Sequence, residues 1–246
     1  QFINGIFNMK LNKFIKNGVD IIIYKILKRI EDIFFSLIIL LTFSPILFLV
    51  SIVSLLFQGW PVFYISKRMV GLNKEISIVK FRTMVKDAKS EKYGLEKKYM
   101  KDGYLDIPMD SEVYTPIGRV LEKTQLVEVP QVFAVLLGKI SFVGNRPLPK
   151  NNIELLKMKY PEIWKGRFKA PAGITGISQV VGKFELTSDQ RLELECLYSK
   201  VYEEGNVLKA DVYIFFSTII LLLLHESVAY RSYESAKNVL LSCLKK

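Results

Sequence analysis

With one histidine, His225, and two cysteines, Cys196 and Cys243, the chain has little scope for the commoner metal or nucleophile chemistries. A lone imidazole excludes most zinc sites and any histidine-based triad elsewhere in the chain, and its place after the apolar run Ile219–Leu224 suits a capping or interfacial role. Cysteines without a CxxC spacing read as reduced, buried or interfacial thiols, as expected on the cytoplasmic side. The more informative side chains are cations. Arg146 stands between Asn145 and Pro147, on a stiff turn where a guanidinium can offer a bidentate fork to an oxyanion. Lys80 and Arg82 lie two apart and on a strand would face one way. Lys183 follows Gly173-Ile174-Thr175-Gly176, whose backbone amides could also meet an anion. Taken singly, each cation is as well explained by a surface salt bridge.

The elements that must position these groups come from a chain of 246 residues, half of them hydrophobic, with a net charge of +11. That apolar content excludes disorder. Sparse glycine, two cysteines and the lack of a 20–50-residue period exclude collagen, a disulfide scaffold and a repeat array. The charge does not suggest a nucleic-acid partner, because it flanks an apolar segment and no nucleic-acid-binding module is visible.

Charge and apolarity are segregated. Ile33 to Phe57 carries no charge and, as straight helix, would reach ~37 Å, enough to cross a hydrocarbon core. Two features favour a segment that dips into the membrane and returns. Ser44-Pro45 sits at its centre, and Pro45 cannot donate to the carbonyl of Leu41, so the run divides into Ile33–Phe43 and Ile46–Phe57. Basic residues stand at both ends, with Lys25, Lys28 and Arg29 before it and Lys67, Arg68 and Lys74 after it. A proline-kinked crossing helix is the alternative. A cleavable signal peptide fits poorly, since the run is long, starts late and has no small-residue cleavage site after it. Ahead of it, Phe14–Asp32 reads as a basic amphipathic helix on an anionic membrane surface.

The spacing then predicts a hairpin from Val62–Ser66 and Glu75–Lys80, turning at Gly71-Leu72-Asn73-Lys74. Val85–Lys101 reads as a solvated helix or loop. Helices are expected from Thr115-Pro116 to Lys123, over Val127–Leu137 with Gly138 as cap, and over Asn152–Lys159. Further helices follow from Thr187 to Tyr202 and over Ser232–Leu244, with a short strand at Ile140–Val143. The apolar run Val212–Leu224 is too short to span a bilayer and fits a core or interfacial helix.

An ordered set of motifs carries a resemblance. It comprises Lys28-Arg29 with Asp32, Ser44-Pro45, Arg68 with Gly71, Lys80-Phe81-Arg82-Thr83-Met84, Pro130-Gln131, Ser141 to Pro147, and Gly173 to Gly176 with Gln179 and Gly182-Lys183. Over roughly residues 25–220 the chain resembles the bacterial sugar transferases, the monotopic polyprenyl-phosphate phosphoglycosyl transferases. The resemblance implies an α+β, mostly helical fold with a re-entrant membrane helix hairpin, amphipathic interfacial helices and a small cytoplasmic domain with a short β-hairpin. The expected divisions are residues 1–32, 33–58, 59–225 and 226–246. It also implies transfer of a phospho-sugar from a UDP-sugar to undecaprenyl phosphate, with Mg²⁺, at the cytoplasmic face of the bacterial inner membrane. Lys80, Arg82, Arg146 and Lys183 would then hold phosphates.

Departures from the pattern fall on charged or polar site positions. The family's nucleophilic aspartate is followed by a metal-binding glutamate just before Pro-Gln; here Val127 and Glu128 precede Val129-Pro130-Gln131. Valine has no lone pair with which to attack phosphorus. Val113 and Glu122 replace arginines, Ala134 an asparagine, Lys139 an acidic residue, Asn145 a proline and Glu195 an aspartate. The reading is a membrane-associated pseudoenzyme, with Glu128 as the metal ligand if metal is still bound, acting in UDP-sugar binding or as partner of an active homologue or of a second copy of itself. The alternative is an active transferase with a rearranged site, in which Asp110 or Asp106 would supply the nucleophile.

Overall fold

The computed structural model describes residues 2–101, 104–105, 107–182, 186–204, 206–223 and 231–244. It begins with one continuous helix, α1 (Phe2–Gln58), that contains Pro45. The two helical pieces expected to meet at a break are therefore joined, as are the amphipathic and apolar stretches expected to be separate. Ser44 explains how the proline is tolerated: its hydroxyl donates to the carbonyl of Leu41 at 3.2 Å, the group that Pro45 leaves without an amide. The part from Ile21 to Gln58 is the one helix among the described residues long and apolar enough to cross a membrane. Its outer side is bare hydrocarbon, with Phe34, Leu41, Phe48, Leu56 and Phe57 exposed. Lys28, Asp32, Ser36 and Ser54 are buried against the rest of the protein.

Next comes the antiparallel hairpin β1 (Phe63–Gly71) and β2 (Lys74–Phe81), longer than the sequence pattern suggested. Helix α2 (Leu95–Tyr99) leads into the two-residue strands β3 (Met100–Lys101) and β4 (Tyr104–Leu105). The segment expected to be a solvated helix or loop has a core of its own, because Ala88, Tyr93 and Leu95 bury against Val113. Sparse apolar residues brought together by turns leave no periodicity to read.

Helix α3 (Pro116–Lys123) starts where expected; the Thr115 hydroxyl accepts from the Gly118 amide at 2.9 Å. The expected helix Val127–Leu137 is two pieces, a 3₁₀ turn (Leu126–Gln131) and α4 (Val132–Leu136), joined through Pro130. Strand β5 (Ser141–Val143) pairs in parallel with β6 (Gly173–Thr175). Between them lie α5 (Lys150–Lys159) and a second 3₁₀ turn (Trp164–Lys169). Helices α6 (Ile177–Val181), α7 (Ser188–Glu204), α8 (Val207–Leu223) and α9 (Tyr233–Leu244) complete the order.

The main core gathers Val135, Ile177, Val180, Leu194, Tyr198, Val201, Ile214 and Leu240 from α4, α6, α7, α8 and α9, with Phe35 of α1 packed against it. A second cluster, Val62, Phe81, Leu121 and Val127, takes Leu47 and Val50 of α1. Polar ties fasten α1 near the first cluster: Lys28 to Asp211, Arg29 to the carbonyls of Val135 and Leu136 at 2.7 and 2.8 Å, and Asp32 to Ser141 at 2.7 Å. Near the second, the Thr115 hydroxyl donates to Oε1 of Gln58 at 2.9 Å. Both free thiols match their expected state, Cys243 buried and Cys196 half-buried, with burial pushing the Cys196 thiol up to about 11.

Candidate functional site

The site is built where the β1–β2 hairpin meets the first 3₁₀ turn. Residues 64, 66 and 68 of β1 pair with 80, 78 and 76 of β2, so Arg68 and Lys80 share one face of the hairpin. The 3₁₀ turn presents Glu128 to that face, and Lys80 Nζ donates to Glu128 Oε1. Three residues per turn bring Gln131 into line with Glu128, so Gln131 Nε2 donates to Oε2. Arg146 Nη2 lies 3.9 Å from Oε1. Burial by itself would push the Glu128 carboxyl up; the Lys80 ammonium, the Arg146 guanidinium and the two hydrogen bonds bring it down to about 2. Burial lowers Lys80 and Arg68, and Arg146 beside them lowers both further. Three cations thus share one carboxylate in a partly buried place.

A buried network fixes Arg146. The Arg167 side chain donates from Nε to Glu195 Oε2 at 2.8 Å and from Nη2 to the Arg146 carbonyl at 2.7 Å. Asn145, the residue before Arg146, donates to the carbonyls of Arg167 and Glu195 at 2.7 and 3.0 Å and to Ser199 Oγ at 2.9 Å. The Met69 amide donates to the Leu148 carbonyl at 2.8 Å, tying the hairpin to the same turn. One helical turn along α7, Tyr198 donates to Asp211 Oδ1 at 2.7 Å, linking this network to Lys28 of α1.

Of the four cations picked from the sequence, Lys80 and Arg146 meet at Glu128. Arg82 does not act with them. It lies beyond the end of β2, and four of its five donors are spent on the backbone carbonyls of Gln58, Gly59, Pro61 and Met84 at 2.6–3.2 Å. It is a clasp between the hairpin and the end of α1, because helix ends leave carbonyls that need donors. Lys183 lies outside the described residues, as do Asp106 and His225. Asp110 is exposed in the turn that closes with the Ser111 amide on the Pro108 carbonyl. The backbone of Gly173 to Thr175, expected to face an anion, is partly committed to the chain at the end of β5: the Gly173 amide donates to the Asn145 carbonyl at 3.0 Å, and the Thr175 carbonyl accepts from Gly144 at 2.9 Å. A Cβ on Gly144 would stand 2.4 Å from the Pro171 carbonyl oxygen, so only glycine permits that approach. Sequence reasoning did not assign Arg68 to the site; its shared parity with Lys80 across the hairpin was the available signal. Arg167 left no such trace, because its partners are distant in sequence.

Val127 turns the other way. It is 3% exposed and packs with Val62, Phe81 and Leu121. In a 3₁₀ turn, adjacent residues point ~120° apart, so the residue beside Glu128 faces the core. Val113 is fully buried in a different cluster, and Glu122 accepts from the Thr83 hydroxyl at 3.1 Å. The residues do not fit Mg²⁺. Mg²⁺ is usually held by one or two carboxylates together with phosphate oxygens and water. Glu128 already receives Lys80 on Oε1 and Gln131 on Oε2, with Arg146 beside Oε1, so its carboxylate has no free edge for a divalent cation.

A UDP-N-acetylgalactosamine-undecaprenyl-phosphate N-acetylgalactosaminephosphotransferase of Aeromonas hydrophila is 30% identical over 202 residues, covering 82% of this chain and 44% of that protein. A UDP-glucose:undecaprenyl-phosphate glucose-1-phosphate transferase of Klebsiella pneumoniae is 30% identical over 221 residues, covering 88% of this chain and 43% of that protein. This chain therefore spans less than half the length of those two relatives. The exopolysaccharide production protein ExoY of Sinorhizobium fredii is 27% identical over 200 residues, 78% of this chain and 83% of that protein. The family profile described as bacterial sugar transferase matches residues 23–225, a stretch that includes α1 from its basic end, the hairpin and the Glu128 cluster, and the chain belongs to that family.

Proposed function

We propose that this protein is a catalytically degenerate sugar transferase that binds a UDP-sugar at the cytoplasmic face of the bacterial inner membrane and acts as partner of an active transferase in glycan assembly. The observation that carries this reading is the divergence of two neighbours: Val127 faces an apolar cluster while Glu128 lies among Lys80, Arg146 and Gln131. A covalent phosphoryl intermediate needs an oxygen, sulfur or nitrogen nucleophile. Binding needs only the cations. Arg68, Lys80 and Arg146 against Glu128 leave two positive charges in excess, which suits a diphosphate.

The test is calorimetric titration of UDP-sugars into the full chain in nanodiscs, beside an assay for UMP release. Binding should persist without turnover. Arg146→Gln should weaken binding by about tenfold to a hundredfold, the worth of one charge-assisted hydrogen-bonding group. Unchanged binding in that variant would remove Arg146 from the site.

The same reading keeps both ends of the apolar part of α1 on one face of the membrane. Lys28, Arg29 and Asp32 at one end of the apolar stretch, and Leu47, Val50 and Gln58 at the other, all touch a single globular domain. A polar domain cannot lie on both sides of a bilayer. Cysteines placed at residues 25 and 66 should label from the same side of oriented vesicles; labelling from opposite sides would overturn that placement.

A further inference from the structure

The β1–β2 hairpin has a second face that the Glu128 cluster does not use. One face carries Ser66 and Ile78, which pair and are buried, together with Arg68 and Lys80. The other, one residue out of step, carries the pairs Phe63–Phe81, Ile65–Val79 and Lys67–Ser77, with Glu75 beyond. Phe81 turns into the second core cluster, but Phe63 and Val79 are exposed and Ile65 is 62% exposed. Lys67, Ser77 and Glu75 are exposed too. An antiparallel sheet with one face in water carries polar residues along that face. Here they begin only at the third pair, so the outer face is apolar near α1 and polar toward its turn.

The start of the hairpin indicates what lies against the apolar half. The chain leaves α1 through Leu56 and Phe57, passes Trp60 and enters β1 at Phe63, and all four side chains are exposed. The junction is fixed. Arg82 donates to the carbonyls of Gln58, Gly59 and Pro61 at 2.6–2.8 Å, and its amide donates to the Val62 carbonyl at 2.9 Å. The end of β2 is thereby held against the end of α1. Tryptophan gathers at the boundary between membrane and water, and lysine carries its charge to the headgroups over an apolar stem. A protein partner covering this face would also have to cover Phe57 and Trp60, where α1 meets the bilayer; lipid covers all of them at once. We infer that the apolar half of the outer hairpin face rests in the membrane surface, with Phe63, Ile65 and Val79 among the outermost acyl carbons and Lys67 at the lipid phosphates. The inference rests on the membrane placement of α1 and is independent of the sugar-nucleotide reading. An apolar face held in this way sits ~5–10 Å into the boundary of headgroups and acyl chains. Successive pairs on one face are ~7 Å apart along the strands, so the step from Ile65–Val79 to Lys67–Ser77 is enough to leave that layer. Seated so, the hairpin sets the depth of the Glu128 cluster, because Arg68 and Lys80 stand on the opposite face of the same two strands.

The test places the full chain in phosphatidylcholine vesicles and reads the quenching of a single tryptophan by brominated lipid. Trp60→Phe with Trp164→Phe removes both native tryptophans. Into that background go, one at a time, Ile65→Trp, Val79→Trp, Ser77→Trp and Leu41→Trp, all at exposed positions that a larger ring should not disturb. At a depth of ~5–10 Å the Ile65→Trp and Val79→Trp rings lie level with bromines near the headgroup end of the acyl chains, and their emission should fall about twofold. The Ser77→Trp protein should keep most of its emission. The Leu41→Trp protein reports α1 itself, read with bromines near either end of the chains. Quenching in Leu41→Trp without quenching in Ile65→Trp and Val79→Trp would overturn this inference alone. No quenching in Leu41→Trp by either lipid would overturn the membrane placement of α1 and this inference with it. Equal quenching in Ile65→Trp and Ser77→Trp would overturn the boundary drawn along the face. Disulfide cross-linking of Ile65→Cys proteins to one another, in place of quenching, would assign the face to a second copy of the chain.

Discussion

Val127→Asp is expected to destabilise the protein and to leave it without transferase activity. The valine is 3% exposed among Val62, Phe81 and Leu121, with Leu47 and Val50 of α1 packed against the same cluster. A carboxyl placed there loses its hydration, and burial of this kind raises a carboxyl by up to ~3–5 units. At neutral pH a rise of about three units costs about 4 kcal/mol. The sign distinguishes this from ordinary acid denaturation. A folded-state value above the unfolded one means the penalty is absent below the unfolded value, near 4, and grows as pH rises toward the folded one. The deficit should therefore be smallest near pH 4, where only the loss of apolar packing and the buried neutral carboxyl remain, and grow by pH 7, as measured by chemical unfolding in detergent. The surroundings do not supply the balancing cations. Restoring arginine at 113 cannot do so directly either, since Val113 is fully buried beside Ala88, Tyr93 and Leu95. If the single variant were as stable as wild type at pH 7 and released UMP, valine would be the sole defect of an otherwise intact enzyme.

Arg167→Met should lower stability by about 3–5 kcal/mol, because it strands Glu195 as an unpaired buried charge. Both side chains are 2% exposed and their contact is 2.8 Å. Lysine at 167 should not rescue, since one ammonium cannot reproduce the fork that holds Glu195 and the Arg146 carbonyl together. Combining Arg167→Met with Glu195→Leu removes both charges and should recover part of the loss. UDP-sugar affinity should stay low in that double variant, because the Arg146 turn has lost its tie. Full recovery of affinity would show that Arg146 needs no such anchor.

Much of this architecture was legible because it is local. The hairpin announced itself in the turn at Gly71–Lys74, α3 in Thr115-Pro116, and α5, α7 and α9 in their caps and spacing. What escaped depended on partners far away in sequence. Two residues of separation put Lys80 and Arg82 on one side of a strand, but β2 ends at Phe81 and the open carbonyls of α1 claim Arg82. Pro130 shortened the expected helix over Val127–Leu137 and tightened its start into a 3₁₀ turn, which aligns Gln131 with Glu128 and sends Val127 to the core. Pro45 was expected to break α1; the helix is continuous because the Ser44 hydroxyl fills the bond that proline removes. The departures at Asn145 and Glu195, which read only as lost chemistry, turn out to be partners of Arg167, and the Asn145 side chain donates to the Glu195 carbonyl.

The central claim is that the cationic cluster binds a sugar nucleotide and that the chain cannot use it. The most direct measurement gives the purified protein in nanodiscs a labelled UDP-sugar, undecaprenyl phosphate and Mg²⁺, and follows UMP. The expected result is release no faster than in protein-free nanodiscs, from a preparation that binds the UDP-sugar in the same buffer. UMP release at the rate of an active homologue assayed alongside would contradict it and return the protein to the working enzymes.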